Sequence, residues 1–467
     1  MLLEERLQHL FLCLIKENRN EWTMNTTNYD NLGKAFVKYV SLNVFGMIGQ
    51  SCYILADTFF VAKGLGSNGL AALNLVIPIF SLIYAIGLML GMGSATKFGI
   101  LSAMKEEKKA NQYFSQAVIV IALISLLFIL AGIFLAGPIS TLCGAEGDTY
   151  PLAEEYLRTI LCFTPMFCFN HLLICFVRND GNPKLSMFAT LIGSLVNIVF
   201  DYIFIFPCNL GMFGAALATA MSPITGILLL STHFVKKQNH FHFQKDVFQF
   251  SVTMDTLKIG FSSFVNEMSN GIVILIFNYI ILSIEGNIGI AAYGVVANIA
   301  LVITSLFTGI GQGIQPLVSY YYGTNEQEKL HKTYRYGVVT AFCLAVVSYG
   351  VIVLFREPLI MAFNEEKNQV LASIANLGMI LYFTGFLPSG FNVVSVFYMT
   401  AKEQAGKGMV ISLVRGFFCI VFFAVVLSKL FGMTGIWLSF LCAEIVTALL
   451  AVCLMRNPSK LDKRGWR

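Results

Sequence analysis

Twelve apolar stretches, each long enough to cross a lipid bilayer, divide this chain of 467 residues. About 20 apolar residues cross the hydrocarbon core as a helix, because a helix satisfies its own backbone hydrogen bonds there. Only 12% of the residues are charged and the mean hydropathy is +0.73, whereas a soluble chain carries about 25% charged residues. We therefore predict an all-α membrane protein. The predicted spans, numbered 1 to 12, are 36–62, 70–97, 115–137, 151–177, 185–206, 212–235, 256–283, 289–320, 335–355, 370–398, 408–430 and 433–455.

The Lys and Arg residues are distributed unequally between the two sides that these spans define. When both chain termini are placed in the cytoplasm, 26 of the 31 Lys and Arg residues fall on the inner side. Cytoplasmic loops carry such an excess. The distribution predicts a multi-pass protein of the inner (plasma) membrane with both termini in the cytoplasm. The five outer residues are Lys63, Arg158, Arg356, Lys367 and Lys429.

An internal repeat relates the two halves of the chain. The segment GLAALNLVIPIFSLIYAIGLMLGMG at 69–93 aligns without gaps with GIAAYGVVANIALVITSLFTGIGQG at 289–313, an offset of 220 positions. GMFGAAL at 211–217 resembles GMTGIWL at 432–438, an offset of 221. Because each half holds an even number of spans, both copies have the same orientation. We expect two pseudo-symmetric six-helix lobes, related as a parallel repeat, around a central cleft.

The spans and the polar segments between them divide the chain into five parts. The parts are an N-terminal cytoplasmic segment at 1–35, a first lobe at 36–235, a cytoplasmic linker at 236–255, a second lobe at 256–455 and a basic cytoplasmic tail at 456–467. Met24 begins the segment MNTTNYDNLGKAF, which is typical of a natural start. Residues 1–23 are therefore interpreted as an over-extended start of the gene.

Several classes of protein are disfavoured by the sequence. It contains no GxxxxGK[ST] phosphate loop, so ATP does not drive the chain directly, and no HExxH motif or large soluble segment indicates an enzyme. The 11 cysteines form no CxxC pair and lie mostly in spans, where reduced cysteine acts as a small apolar residue. His240 and His242 are interpreted as residues of a solvated loop. We expect no cofactor, no metal site and no nucleic-acid partner.

Acidic residues inside spans are candidates for function, because an ionisable group is costly to keep there. Asp57 in span 1 and Asp201 in span 5 lie 19 and 17 residues beyond the lysines that begin their spans. At about 1.5 Å per residue, both carboxylates reach a similar depth. Asn197 precedes Asp201 by one helical turn, and Asn170 lies in the neighbouring span 4. This grouping predicts a polar cavity for H⁺ or Na⁺, with the alternative that Asp57 reaches water at the outer end of its helix.

A further acid lies in span 7. Glu267 follows Lys258 by nine residues, which places it about 14 Å along the helix and near the bilayer midplane. A carboxylate there suits a cationic substrate or a coupling proton, and a hydrogen bond within the second lobe is the alternative. Tyr84, Met89 and Met92 of span 2 are candidate substrate contacts, because aromatic and apolar surfaces bind lipophilic cations.

Five segments together resemble the signature of one transporter family. They are ADTFFVAKGLGSNGLAALNLVIPI at 56–79, RNDGNPK at 178–184, NIVFDYIFIF at 197–206, FVNEMSNGI at 264–272 and GIAAYGVVANI at 289–299. On these residues the chain resembles, over nearly its whole length, the multidrug and toxic compound extrusion (MATE) transporters, in the branch of bacterial multidrug exporters. The resemblance implies twelve helices in two lobes and export coupled to H⁺ or Na⁺ entry. The cation-site residues that it implies are Asp57, Asn197, Asp201 and, less closely matched, Asn170, with Glu267 as the acid of span 7.

The chain departs from the family pattern in two places. Some relatives have an acid in span 10, but residues 370–398 contain none, so a coupling scheme that uses that acid is doubtful. Asn179 and Asp180 replace other residue pairs in what is predicted to be a loop, and we expect little effect from them. Two further charged residues are weaker candidates. Arg415 is interpreted as extending its side chain towards the inner interface, and Glu444 as bracing helices.

These observations favour a secondary active multidrug efflux transporter that exports lipophilic cations by antiport with H⁺ or Na⁺. The expected partners are such cations and the lipid bilayer, and the chain is expected to act as a monomer. A flippase for a lipid-linked precursor is the alternative within transport, although such proteins often have extra helices and a more cationic cleft. A membrane scaffold is the alternative outside transport, although a scaffold has no need to bury acids at matched depth.

Overall fold

The structure of the chain, a computed structural model, describes residues 31–245, 248–364 and 368–456, without the side chain of Asn270. Every regular element in these ranges is helical. The predictions for residues 1–23, for Lys367 and for the tail after Arg456 lie outside them. The helices are Leu32–Ala103, Glu107–Phe134, Ala136–Leu142, Thr149–Cys162, Thr164–Asn179, Pro183–Ile205, Gly211–Val235, Phe250–Gly323, Gln327–Phe363, Gln369–Leu381, Phe386–Ala401, Ala405–Leu413 and Ile420–Arg456, with a 3₁₀ turn at Tyr382–Gly385 and a π-helical turn at Val414–Cys419.

Twelve membrane-spanning segments follow from these helices. Within the described ranges, eight helices are long and apolar enough to cross a membrane, and the bent pair Thr149–Cys162 and Thr164–Asn179 makes a ninth. Three of the nine contain a glycine with non-helical backbone angles and are therefore two spans each. The 72-residue helix Leu32–Ala103 illustrates the reason, because a straight helix of that length would measure about 108 Å, several times the bilayer core.

The backbone breaks repeat with the same offset as the sequence. Gly66 has φ 68° and Gly286, 220 positions later, has φ 60°. Gly211 and Gly432, 221 positions apart, have φ 60° and 57°. Glycine is favoured at these turns because it has no Cβ to clash at positive φ. The predicted repeat of six spans is therefore present in the backbone itself.

Asparagine side chains begin several of the helices. The Oδ1 atom of Asn31 accepts a hydrogen bond from the backbone N of Lys34, at 3.2 Å. Asn182 caps the start of span 5 in the same way, and Pro183 occupies the first helical position. Both devices satisfy or remove backbone donors that the first turn of a helix leaves without partners. These residues thereby favour the start of their helices at Leu32 and Pro183.

The outer surface of the helix bundle is apolar. Large side chains that point away from the bundle include Leu127 (65% exposed), Phe134 (72%), Leu354 (79%) and Leu430 (66%). Continuous apolar surface of this kind is rare on soluble monomers. Together with the span count, it shows a multi-pass membrane protein, as predicted.

The segment between the lobes lies against the first lobe. Phe241 is completely buried. The backbone N of His242 donates to Asn111 Oδ1 and that of Gln244 donates to Ser115 Oγ, both at 2.8 Å. The second lobe then begins with the helix Phe250–Gly323. The aromatic rings around Phe241 are those of Phe98, Phe114, Phe176, His233 and Phe234.

Asp180 anchors this interlobe segment. Its side chain is fully buried and accepts a hydrogen bond from the backbone N of His240 at 2.9 Å. Its two oxygens also lie 2.8 Å from His240 Nδ1 and from His233 Nε2. The hydrogen bond to Asp180 raises the pKa of His240, partial burial lowers it, and the charges of Asp180 and Glu107 raise it further. The expectation that Asp180 has little effect stays a prediction. The side chain of His240 is 31% exposed and therefore only partly solvated, whereas that of His242 is exposed.

Candidate functional site

The predicted cation-site residues of the first lobe form a group in which Asp201 and Asn197 are buried and Asp57 is partly exposed. Asp201 and Asn197 are 0% exposed. Among the residues that the structure describes, both carboxylate oxygens of Asp201, Oδ1 of Asp57 and both polar atoms of the Asn197 amide have no hydrogen-bond partner. The charge of Asp57 acts directly on Asp201. Most buried polar groups in proteins are hydrogen-bonded, so this concentration marks a site suited to a small cation or a proton.

Two tyrosines that the sequence analysis did not single out belong to the same group. Tyr53 lies one helical turn before Asp57 and interacts electrostatically with Asp57, Asp201 and Glu267. Tyr156 is buried, hydrogen-bonds to Thr219 and interacts with the same two aspartates. The four-residue spacing from Asp57 would have identified Tyr53, because residues i and i+4 share a helix face. No local pattern identifies Tyr156, which reaches the site from span 4.

Asn170 and Tyr84 line a narrow cavity inside the first lobe. The Oδ1 atom of Asn170 has no partner among the described residues, and Gly226 makes room for it, since a Cβ there would overlap that atom. The Tyr84 hydroxyl accepts a hydrogen bond from Gln50, and its ring packs edge-on against His171 with centroids 4.0 Å apart. The cavity is lined by residues of five first-lobe spans, 1, 2, 4, 5 and 6, and by Gln312 of span 8.

Glu267 reaches this region from the second lobe. It lies in span 7, is partly exposed and interacts electrostatically with Tyr53 and Tyr84. It therefore faces first-lobe tyrosines across the boundary between the lobes. All three acids interact with Tyr53, two of them from the first lobe and Glu267 from the second.

Met89 and Met92 lie beside the cavity around Tyr84 rather than in its wall. A Cβ at Gly260 of span 7 would overlap the backbone carbonyl of Met89. Met92 is 1% exposed, and its sulfur lies 3.1 Å from Arg178 Nη2. The structure therefore places Met89 in interlobe packing and Met92 against Arg178 of the first lobe, and neither is among the residues that line the cavity around Tyr84. Their proposed role in substrate binding stays a prediction.

The lobes are joined at the end of the bundle where span 1 begins and span 12 ends, which we call the terminal face. Arg178 is 1% exposed, and its Nη1 donates at 2.8 Å both to Asn43 of the first lobe and to Gln312 of the second. Asn179 Nδ2 donates to Gln315 Oε1 at 3.0 Å. Two consecutive residues of the RNDGNPK segment thus bind span 8. The prediction that Asn179 lies in a loop is wrong, because it is the last residue of the helix Thr164–Asn179.

Further contacts close the same face. Lys97 forms an ion pair with Glu403 of the second lobe. Gln315 Nε2 also donates to Thr96 Oγ1 at 2.9 Å. A Cβ at Gly93 would overlap the carbonyl oxygen of Thr256, so spans 2 and 7 touch through their backbones. Side chains and backbone together therefore seal the terminal face, while the acids lie deeper in the bundle.

Comparisons with known proteins agree with this architecture. A family model described as MatE matches the chain twice, at residues 43–203 and 262–426. The multidrug export protein MepA of Staphylococcus saprophyticus is 25% identical over 426 residues, 90% of this chain and 93% of the relative. Two solved structures are each 23% identical over 92% of this chain. One, described as MATE in complex with MaL6, has a TM-score of 0.87 over 97% of its length. The other, an outward-facing multidrug resistance MATE family transporter of the MOP superfamily, has a TM-score of 0.86 over 96%. The two family matches cover one lobe each, so the predicted two-lobe fold is confirmed.

Proposed function

This chain belongs to the MatE family, whose members are transporters rather than enzymes, and on that premise we propose that it exports lipophilic cations in exchange for H⁺ or Na⁺. The observation that carries the proposal is the group of Asp57, Asp201 and Asn197. Both carboxylate oxygens of Asp201, both polar atoms of the Asn197 amide and Oδ1 of Asp57 have no partners among the described residues. Burying carboxylates without partners is expensive, and a group that binds and releases a cation accounts for that cost. The name of the relative MepA, a multidrug export protein, supports the choice of cargo.

Alternating access follows from the two-lobe architecture. Two similar lobes that rock against each other expose a central site first to one side of the membrane and then to the other. The contacts of Arg178 and Asn179 with span 8 are made in the state described here and must break for the terminal face to open. The distribution of Lys and Arg supports an orientation in which the terminal face lies on the cytoplasmic side of the membrane. The drug would then enter the cleft through the terminal face and leave on the outer side of the membrane.

The division of labour between the lobes follows from the positions of the acids. Asp57 and Asp201 lie in the first lobe and serve the coupling ion, whereas Glu267 faces them from the second lobe and serves the cationic substrate. Tyr53 interacts with all three acids. A cation bound at the aspartates and a cation bound at Glu267 therefore both change the electrostatic field at Tyr53, and this coupling would link release of the drug to entry of the ion.

A transport assay tests the proposal. The purified chain is reconstituted in liposomes, a proton or Na⁺ gradient is imposed separately, and uptake of a fluorescent lipophilic cation is followed. We expect gradient-driven flux that falls to the passive leak in Asp57→Asn and in Asp201→Asn. Asp148→Asn is the matched control, because Asp148 is exposed in a connecting loop. Gradient-driven flux that persists in both buried variants, or no flux with either ion, would refute the proposed antiport.

A further inference from the structure

A buried ion pair organises the second lobe. Arg415 Nε donates to Glu444 Oε1 at 2.6 Å, Nη1 to Asn266 Oδ1 at 3.0 Å and Nη2 to Ser389 Oγ at 3.0 Å. The other oxygen of Glu444 accepts a hydrogen bond of 2.6 Å from Asn392 Nδ2. The carboxylate side chain is 2% exposed and the guanidinium side chain 16%. Arg415 thus reaches into the lobe, so the expectation that it extends towards the inner interface is wrong.

The backbone around Arg415 presses span 11 against span 7. Residues Val414–Cys419 form a π-helical turn, a feature often found at functional sites. A Cβ at Gly416 would overlap Ser269 Oγ of span 7. Asn266, which accepts from Arg415, directly precedes Glu267. The arginine therefore holds the helical turn that carries the second-lobe acid of the candidate site.

The first lobe has no counterpart of this pair. Gly181 of the first lobe and Glu403 of the second both adopt positive φ and lie 222 positions apart. With the same offset, the first-lobe position that corresponds to Arg415 is Gly193. With the offset of 221 between Gly211 and Gly432, the first-lobe position that corresponds to Glu444 is Pro223. Neither corresponding residue can ionise.

The equivalent contact in the first lobe is uncharged. A Cβ at Gly193 would lie 2.9 Å from the backbone oxygen of Ser222, so the two spans meet there without any ionisable group. The first lobe instead keeps Asp57 and Asp201, which lack full sets of partners among the described residues. The first lobe therefore has carboxylates with unused hydrogen-bonding capacity, whereas both oxygens of Glu444 in the second lobe accept hydrogen bonds.

We propose that Arg415 is the built-in cation of the second lobe, a positioning residue that holds span 7 at Glu267 and keeps Glu444 from taking a mobile cation. A guanidinium stays charged in proteins and cannot be released, so it occupies the carboxylate throughout a transport cycle. The inference rests on the proposed exchange of H⁺ or Na⁺ in the first lobe. It explains why ion coupling is confined to that lobe although both lobes bury acids.

The test is a gain of cation binding that depends on Glu444. The thermal midpoint of the purified full-length chain is measured against Na⁺ concentration and against pH. In a background of Asp57→Asn and Asp201→Asn, we expect little cation response. Adding Arg415→Gln should create one, and adding Glu444→Gln as well should remove it. At a cation concentration 100 times Kd, binding to the new site raises the folded-to-unfolded ratio about 100-fold.

Two control variants separate charge from packing. Arg415→Lys keeps the charge and should create no cation response. Arg335→Gln makes the same change as Arg415→Gln at an exposed position and should also create none. A folded Arg415→Gln variant without a cation response overturns the proposal.

An unstable Arg415→Gln variant is equally informative. Removing one partner of a buried ion pair leaves an uncompensated charge, so Na⁺ or low pH should restore its stability through Glu444. Instability that neither condition relieves shows a purely structural role and overturns the proposal. A failure of the proposed function would look different, because the otherwise unchanged chain would then keep its full cation response after Asp57→Asn and Asp201→Asn.

Discussion

Replacing Gln312 by Leu should open the terminal face. The substitution removes the hydrogen bond from Arg178 Nη1 to Gln312 Oε1, which joins the lobes at 2.8 Å, and leaves the bond to Asn43 within the first lobe. A hydrogen bond to a charged group contributes about 1.5–3 kcal/mol, and burial of Arg178 at 1% exposure leaves little screening by water. Because about 1.4 kcal/mol corresponds to a factor of ten, the equilibrium should shift towards opening by about 10- to 150-fold.

Alkylation of Cys175 measures this opening. The thiol is buried, and its sulfur lies 3.7 Å from Arg178 Nη2, so a maleimide reaches it only when the face opens. In a variant that retains Cys175 alone among the 11 cysteines, Gln312→Leu should accelerate labelling by the same factor. Gln327→Leu, the same change at an exposed position, is the control. Equal labelling rates for Gln312→Leu and its parent, with both folded, would refute the reasoning.

Three further outcomes are expected from the linker and the close glycine contacts. The pKa of His240 is raised on docking, so its stabilisation is complete below about pH 6.5 and is lost as pH rises through the raised pKa. The protection factors of amides 239–244, which correct the exchange rates for intrinsic base catalysis, should therefore fall as pH rises and stay constant in His240→Gln. Gly93→Ala should raise Cys175 labelling because its Cβ overlaps the backbone of span 7, whereas Gly294→Ala, with open space around it, should not. Phe241→Ala, at a completely buried ring, should destabilise linker docking by about 3–5 kcal/mol, and an unchanged thermal midpoint and linker exchange would contradict this.

The spans and their duplication were predictable because the rules that produce them act along the chain. A bilayer requires about 20 apolar residues per helix, and repeated sequence builds repeated backbone. Gly66 and Gly286 therefore turn the chain at matching places. The acids of the site were also visible in advance, because a charge inside an apolar stretch stands out whatever its partners are.

The partners of those charges were decided only by the tertiary structure. The sequence predicts Asp57, Asp201, Glu267, Arg415 and Glu444 as intramembrane charges without saying which are compensated. Compensation depends on which helices approach each other and on how each side chain is directed. Arg415 and Glu444, 29 positions apart, meet because spans 11 and 12 pack together.

The RNDGNPK segment shows the same limit on a smaller scale. Read locally, it is a polar loop between two spans. In the folded chain Arg178 and Asn179 bind span 8, 134 and 136 positions away, and Asp180 binds the interlobe segment 60 positions away. The sequence by itself determined a two-lobe membrane protein with acids in its spans. Only the packing of distant helices decided that Asp201 has no hydrogen-bond partner among the described residues, that Glu444 is paired with Arg415 and that the terminal face is closed. Hydrogen bonds and ion pairs depend on distances in space rather than along the chain.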